Sequence, residues 1–347
     1  MAKTVYVGMS GGVDSSVTAA LLKEQGYTVV GVYMKNWSKD LPGLACPWKE
    51  DYQDAKRVAV QLGIDFKMYD FETEYRQKVV DYMIQEYKAG RTPNPDIMCN
   101  QEVKFKLFLN TALEDGADLI ATGHYARIKD GQLLTAANQD KDQTYFLYRI
   151  TEEALRHSLM PIGDFKTKTE VRDIAKKLGL ATAQKKDSQG ICFVGKVGIK
   201  DFLQQYVTTE PGDIKDQNGL TIGRHDGAIF YTIGQRHGLD VGGGLPYYVT
   251  YKDMAKNEVH VTTNLNDDRL WHDILTLTGL HWINGKPDTT KQYQVRTRYR
   301  APLVGCTLKQ QDNRLHVALS EPIRAITPGQ SAVLYDADRV VGGGIVI

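Results

Sequence analysis

The sequence predicts an α/β domain built on a mostly parallel sheet with helices on both faces, followed by two small β domains, the last a β-barrel. Three observations lead there. From Lys3 to about Val207, short apolar runs alternate with longer helical periods, the pattern of βαβ units. Beyond Val207 the texture changes to Tyr, Val and Thr with glycine clusters at 242–244 and 342–344 and frequent turn signals, which is an all-β texture. The 347 residues, 42% of them apolar, are enough for two or three cores at about 150 residues per domain. The expected boundaries are 1–207, 208–275 and 276–347, the second placed near Thr276, where the stretch from Trp271 to Leu280 joins two strand-rich blocks.

Taken in order, Thr4 to Met9 reads as a buried strand, Val13 to Gln25 as a helix stopped by Gly26, and Tyr27 to Met34 as the next strand. Glu50 to Leu62 and Glu72 to Lys88 read as helices on either side of a strand at Asp65 to Phe71. Asp118 to Gly123 is a further strand, and Thr167-x-x-Glu170 is the capping-box opening of a later helix that Gly179 stops.

With 43 basic against 42 acidic residues the net charge is only +1, so a uniformly basic nucleic-acid coat is excluded and local patches are not. Such patches exist. The stretch Lys166 to Lys186 has seven basic residues against two acidic, and Thr276 to Ile347 has nine against five. Four scattered cysteines, Cys46, Cys99, Cys192 and Cys306, contain no C-x-x-C pair and suit neither a disulfide scaffold nor a zinc cluster, so a reduced, cytoplasmic protein is expected. No signal peptide or membrane span is expected, because no apolar run approaches the ~18 residues a span requires.

The strongest motif is Ser10-Gly11-Gly12-Val13-Asp14-Ser15-Ser16, between a buried strand and a helix. Glycines allow close backbone approach, and a helix N-terminus presents free N–H groups and a positive dipole end to a phosphate. The loop has no lysine, which disfavours Walker-type γ-phosphate chemistry, and its glycine spacing is wrong for a dinucleotide fingerprint. It resembles the loop of the PP-loop ATP pyrophosphatases, with their adenine nucleotide α-hydrolase-like sheet, which cleave ATP between the α and β phosphates and adenylate a substrate oxygen. That resemblance implies an adenine pocket at the C-terminal edge of the sheet, where Met34 and Gly123 fall.

Cys99 lies near the end of the proline- and asparagine-rich segment Arg91 to Asn100, just before a helix expected to start near Gln101, where the dipole would favour its thiolate. Cys192 lies in the glycine-flanked segment Asp187 to Gly195. Cys46 and Cys306 read as structural. Adenylation combined with two loop thiols suggests sulfur transfer. Asp96, three residues before Cys99, is placed either as a general acid–base group or as a helix-entry capping carboxylate, and His124 either contacts RNA or is a satisfied strand-end histidine.

The strings GMSGGVDSS at Gly8 to Ser16, NPDIMCN at Asn94 to Asn100, ATGHYAR at Ala121 to Arg127, KDQTYFL at Lys141 to Leu147, KKDSQGICFVG at Lys185 to Gly195 and YTIGQRHGL at Tyr231 to Leu239 together resemble the MnmA/TrmU family of tRNA-specific 2-thiouridylases. The resemblance implies ATP- and Mg2+-dependent thiolation of carbon 2 of the wobble uridine in tRNAs for lysine, glutamate and glutamine. By the same resemblance Cys99 is the nucleophile and Cys192 the persulfide carrier, paired as a transient Cys99–Cys192 disulfide. The ATP site comprises Gly8, Met9, Ser10, Gly11, Gly12, Val13, Asp14, Ser15, Met34 and Gly123. Asn94, Pro95 and Asp96 meet the target base, and His124, Lys141, Asp142, Gln143, Arg298, Tyr299 and Gln330 contact the tRNA at its anticodon stem-loop. A cysteine desulfurase or a sulfur-relay protein supplies the persulfide. The competing classes are an amide-forming PP-loop ligase, which would not need the two cysteines, and a non-catalytic RNA-binding or sulfur-carrier protein.

Overall fold

The computed structural model describes residues 2–40, 46–186, 198–242, 244 and 246–347. Strand β1 (Thr4–Gly8) leads through a tight turn into α1 (Val13–Glu24), then β2 (Thr28–Lys35), α2 (Trp48–Leu62) and β3 (Asp65–Asp70). Next come α3 (Glu72–Tyr75) and α4 (Asp81–Lys88), joined by one π-helical segment, Arg76–Val80. A second continuous helical run combines α5 (Pro95–Met98), a π-helical stretch over Cys99–Leu107 and α6 (Phe108–Glu114), and leads to β4 (Leu119–Thr122). The remainder of this region holds the hairpin β5 (Arg127–Lys129) and β6 (Gln132–Leu134), then α7 (Glu152–Arg156), β7 (Ser158–Leu159), α8 (Lys168–Lys177) and α9 (Ile199–Leu203).

The first sheet has the order β3-β2-β1-β4-β7 with every pairing parallel. Chain order reverses between β1 and β4, so the turns after these two strands flank the crevice where doubly wound sheets bind ligands. Near-continuous apolar burial explains the central strand: Val5 and Val7 pack with Val17 and Leu22 of α1 on one face, while Tyr6 joins Val103, Phe108 and Ile120 on the other.

The second sheet, order β10-β11-β8-β9, is made of β8 (Gly212–Lys215), β9 (Thr221–His225), β10 (Tyr248–Asp253) and β11 (Glu258–Thr262). The third contains β12 (Trp271–Trp282), β13 (Gln292–Arg296), β14 (Val304–Gln311), β15 (Arg314–Arg324), β16 (Ser331–Asp336) and β17 (Arg339–Val346). It closes into a six-stranded antiparallel barrel because β12 pairs with both β15 and β17. Alternate residues such as Leu275, Leu277, Val295, Leu315, Val317 and Leu334 fill it. Thr276 falls inside β12, all of which belongs to this sheet, so the stretch 271–280 is barrel strand and not a connection.

The α/β domain is fastened to the barrel. Hairpin β5–β6 extends the barrel sheet through the pairing of Leu134 with Arg339. Behind it, Asp142 and Arg296 form an ion pair of 3.0 Å with side chains 0% and 10% exposed. The Asp142 carboxylate also accepts from the amides of Ala136 and Thr144 and from the Thr144 hydroxyl. Tyr145 donates its hydroxyl to the Ser331 carbonyl at 2.9 Å, and Tyr148 meets the Ser331 hydroxyl at 3.0 Å. Removing one partner of a buried pair strands the other charge. Asp142→Ala is therefore expected to destabilise the protein by about 3 to 5 kcal/mol, whereas Asp142→Leu combined with Arg296→Met recovers most of that loss, both read as shifts of the urea midpoint.

Candidate active site

At the end of β1 the Met9 amide still donates to Val32 across the sheet (2.8 Å), and the chain then turns into α1. Gly11 has φ +73 and lies so close to α2 that a Cβ there would sit 2.4 Å from the Asp51 carbonyl oxygen. Gly12 caps α1 without any side-chain hydrogen bond, so the first-turn amides that follow it are available to an anion. Ser15 accepts from the Ser10 amide at 3.2 Å and thereby holds the loop curled over the helix start. A Cβ on Gly123 would meet the Ser15 nitrogen at 2.7 Å, and one on Gly8 would meet Met34 Cε at 2.9 Å. Gly8 to Ser15, Met34 and Gly123 thus converge at one edge of the sheet, as the sequence motifs suggest.

Asp14 is engaged by side chains from later in the chain. Its carboxylate receives Lys168 Nζ at 2.6 and 2.7 Å and the Tyr125 hydroxyl at 3.1 Å, while Lys168 also lies over the Tyr125 ring. Thr182 donates to Ser16 (2.9 Å), Lys185 bridges Asp51 and Asp54 at 2.8 and 2.6 Å, and Arg172 donates to the carbonyls of Ala183 and Lys185. The basic stretch 166–186 is therefore in large part a strap across the phosphate loop. Lys168, Arg172 and Lys185 of this stretch thus direct their charged ends to protein partners.

Cys99 stands elsewhere than expected. The helix begins at Pro95, not near Gln101, with Asn94 as its cap: the Asn94 side chain accepts from the Ile97 amide at 3.3 Å and proline occupies the first helical position. Cys99 is then in the second turn, its amide bonded to the carbonyls of Pro95 and Asp96, and only 4% exposed. Cys99 thus lies beyond the first turn, where the effect of a helix N-terminus falls off, so the terminal position expected to favour its thiolate is not the one it occupies. The capping role considered for Asp96 belongs to Asn94. Asp96 sits two positions further in, partly buried, and burial raises its carboxyl above the ordinary range against an opposing effect of Lys104. Cys192, and with it the Cys99–Cys192 pairing, lies outside the described residues. Cys46 and Cys306 carry free thiols, both pushed up by burial, Cys306 to about 12, which suits packing and not nucleophilic chemistry.

Around this helix the RNA-contact candidates cluster. Asn100 donates to the Phe146 carbonyl (3.2 Å), and the Phe146 ring packs on Tyr299 with centroids 4.6 Å apart, which links the Cys99 helix, the Lys141 to Gln143 segment and the barrel. Lys141 is half-exposed. Asp142 is withdrawn into its ion pair, and Gln143 accepts from the Tyr125 amide at 2.8 Å. His124 is buried against Phe105 with Nδ1 2.8 Å from the Thr122 hydroxyl, and burial holds it well below the usual histidine range, hence neutral. Arg298 spans the two β domains, donating to the carbonyls of Ile233 and Ala325 and to Thr327. Gln330 donates to the carbonyls of Thr92 and Pro93. Among the described residues no three His, Cys, Asp or Glu side chains converge on a metal position, and none of their helices is long and apolar enough to cross a membrane.

Family models match the chain end to end: a tRNA methyl transferase HUP domain over residues 3–196, a tRNA methyl transferase PRC-barrel domain over 200–263 and an aminomethyltransferase β-barrel domain over 272–346. The tRNA-specific 2-thiouridylase MnmA of Listeria monocytogenes serotype 4b (strain CLIP80459) is 48% identical, covering 99% of this chain and 94% of that one. The protein of the same name from Shouchella clausii (strain KSM-K16) is also 48% identical, covering 99% and 96%. The chain belongs to the MnmA/TrmU family. Among solved structures, a 4-thiouridine synthetase–RNA complex with bound ATP aligns with a TM-score of 0.39 at 20% identity over 58% of this chain and 50% of that one, a likeness too slight to argue from.

For this MnmA/TrmU chain the residues that sequence reading missed are Lys168, Tyr125 and Thr182, which brace the phosphate loop from afar. The only sequence trace of Lys168 is its place in a basic stretch. Gly123→Val is expected to push the start of α1 away from β4 and weaken ATP binding at least about tenfold in calorimetric titration, with RNA affinity unchanged.

Proposed function

We propose that the protein uses ATP to replace oxygen by sulfur at carbon 2 of the wobble uridine in tRNAs for lysine, glutamate and glutamine. The observation that carries this reading is the 48% identity to MnmA proteins along 99% of the chain. The phosphate loop and the Asn94-capped helix supply a matching chemical frame.

In this reading Gly8 to Ser15 hold the ATP phosphates, with Met34 and Gly123 beside the adenosine. The uridine O2 attacks the α-phosphorus, pyrophosphate leaves and the N3 proton goes to a base, for which Asp96 is the candidate. The outer sulfur of a Cys192 persulfide then attacks C2 and AMP leaves. The Cys99 thiolate attacks the inner sulfur, breaking its bond to the sulfur now on the base. The products are 2-thiouridine and a Cys99–Cys192 disulfide, which a two-electron reductant returns to thiols. The persulfide comes from a cysteine desulfurase or a relay protein. Magnesium would accompany the ATP phosphates. The base must leave the anticodon stack to reach a helix as buried as this one, with Asn94 to Asp96, Lys141 and Tyr299 nearest its path.

Mass spectrometry of nucleosides from tRNA incubated with enzyme, ATP and a persulfide source tests the reading. 2-Thiouridine is expected, and 4-thiouridine would refute it. Cys99→Ser should release pyrophosphate yet retain RNA in a reducible link to Cys192, and Cys192→Ser should make no thiolated product. Pyrophosphate release that is undiminished in both variants, with no thiolated nucleoside from wild type, would instead favour an amide-forming ligase.

Since burial raises the Asp96 carboxyl and the base form is its anion, single-turnover thiolation should decline as pH falls through a value above the usual ~3.9. Asp96→Asn is expected to lower the plateau about 100-fold or more and to remove that acid limb, so an unchanged rate profile in this variant ends the assignment.

A further inference from the structure

The helical run from Pro95 to Glu114 reaches from one part of the site to the other. Near its start it carries Asp96 and Cys99. Further along, Phe108 comes up against the phosphate loop, where a Cβ on Gly8 would stand 3.6 Å from Phe108 Cε1. Asp96, Asn100, Lys104 and Phe108 are spaced by four along this run. Four residues overshoot an α turn of about 3.6 and fall short of the wider π turn of Cys99–Leu107, so the two drifts offset each other and the four positions keep to one face.

Lys104 is the cation of that face. Its neighbour Lys106 is exposed and bound to Glu102 at 3.1 Å, whereas Lys104 is half-buried and has no hydrogen bond or ion pair among the described residues. Its charge is felt at two places. It opposes the upward shift that burial gives the Asp96 carboxyl, and it adds to the downward shift that burial gives His124. The His124 ring packs on Phe105, next to Lys104, with centroids 5.8 Å apart, and His124 follows Gly123, where a Cβ would meet the Ser15 nitrogen at 2.7 Å. Lys104 therefore stands in the interval between Asp96 and the phosphate loop. The loop Ser10 to Ser16 has no lysine of its own, and Lys168 beside it is spent on the Asp14 carboxylate. An ammonium drawn partly out of water without a partner is unfavourable, and an anion seated beside it relieves that penalty.

We propose that Lys104 is a catalytic residue of adenylation, its ammonium receiving the α-phosphate that passes from ATP to the uridine. This rests on the reading of the protein as an ATP-dependent tRNA thiolase. The α-phosphate is common to ATP, the adenylated uridine and AMP, so it is the group that has to occupy the interval between the loop and Asp96. As the uridine O2 forms its bond to the α-phosphorus, the bond from that phosphorus to the oxygen leading to the β-phosphate breaks, and its electron pair leaves with pyrophosphate. Lys104 neither gives nor takes a proton. Its charge faces the nonbridging oxygens throughout, and a cation fixed in a half-buried site acts more strongly on them than one in water.

The test compares wild type with Lys104→Met, Lys104→Arg and Lys106→Met, each as the full chain with its thermal midpoint as the folding control. Calorimetry gives the Kd of AMP and of adenosine, whose ratio isolates the α-phosphate. Rapid quench gives tRNA-dependent pyrophosphate release in a single turnover. Lys104→Met is expected to lower the preference for AMP over adenosine at least about tenfold and pyrophosphate release about 100-fold or more, with the tRNA Kd in the absence of ATP unchanged within about twofold. Lys104→Arg should keep most of the preference, and Lys106→Met should match wild type throughout. An unchanged AMP-to-adenosine ratio in Lys104→Met overturns the proposal, as does a raised tRNA Kd with normal pyrophosphate release, which would make Lys104 a contact to RNA phosphate. Should Lys104→Met not fold, Lys104→Gln is read by the same ratio. If wild type shows the Lys104-dependent ratio yet releases no pyrophosphate with tRNA, it is the thiolation reading that fails.

Discussion

A carboxylate and a guanidinium held together out of water, Asp142 and Arg296, govern how the parts of this protein sit on one another. Their mutual attraction alone does not offset the desolvation of two charges. What makes the pair tenable is the set of further donors on Asp142, the amides of Ala136 and Thr144 and the Thr144 hydroxyl, which occupy its remaining acceptor sites. Arg296 lies over the ring of Tyr335, though its Nε finds no partner. Around this pair the tyrosines 145 and 148 reach to Ser331, and hairpin β5–β6 is stitched to β17. The barrel is thereby seated against the domain that carries the phosphate loop.

Two chemical stations hang on that seat by different means. The phosphate loop is braced from within its own domain, by the Lys168–Asp14 pair, the Thr182–Ser16 hydrogen bond and the close approach of Gly123 to Ser15. The Cys99 helix is braced from the barrel, through Thr92, and from the Lys141 to Leu147 segment, through the Phe146 carbonyl that holds Asn100. The proposed reaction would require the two stations to stay in register. Burial raises the Asp96 carboxyl, with Lys104 opposing the shift, and burial together with Lys104 keeps His124 neutral.

The sequence alone determined the strand–turn–helix of the phosphate loop, the parallel α/β class, the change to β structure after about residue 207, and the structural character of Cys46 and Cys306. These are local matters. Periodicity, glycine in a turn that needs positive φ, and a capping box such as Thr167 to Glu170 act over a few residues and are written contiguously. The helix that carries Cys99 starts six residues ahead of the position expected from sequence because Asn94-Pro95, which has the chemistry of a loop, is equally an N-cap with proline in the first turn.

Only the tertiary structure decided which charges face the solvent. Asp14 and Lys168, like Asp142 and Arg296, are 154 residues apart in sequence, and nothing local marks either lysine or arginine as an internal partner. Which charge a basic side chain meets is settled by what packing brings close to it, and the Gln330 amide likewise finds backbone carbonyls 238 and 237 residues away. Motif and periodicity assign the chemistry that a residue is able to do; the long-range fold selects the partner with which it does it.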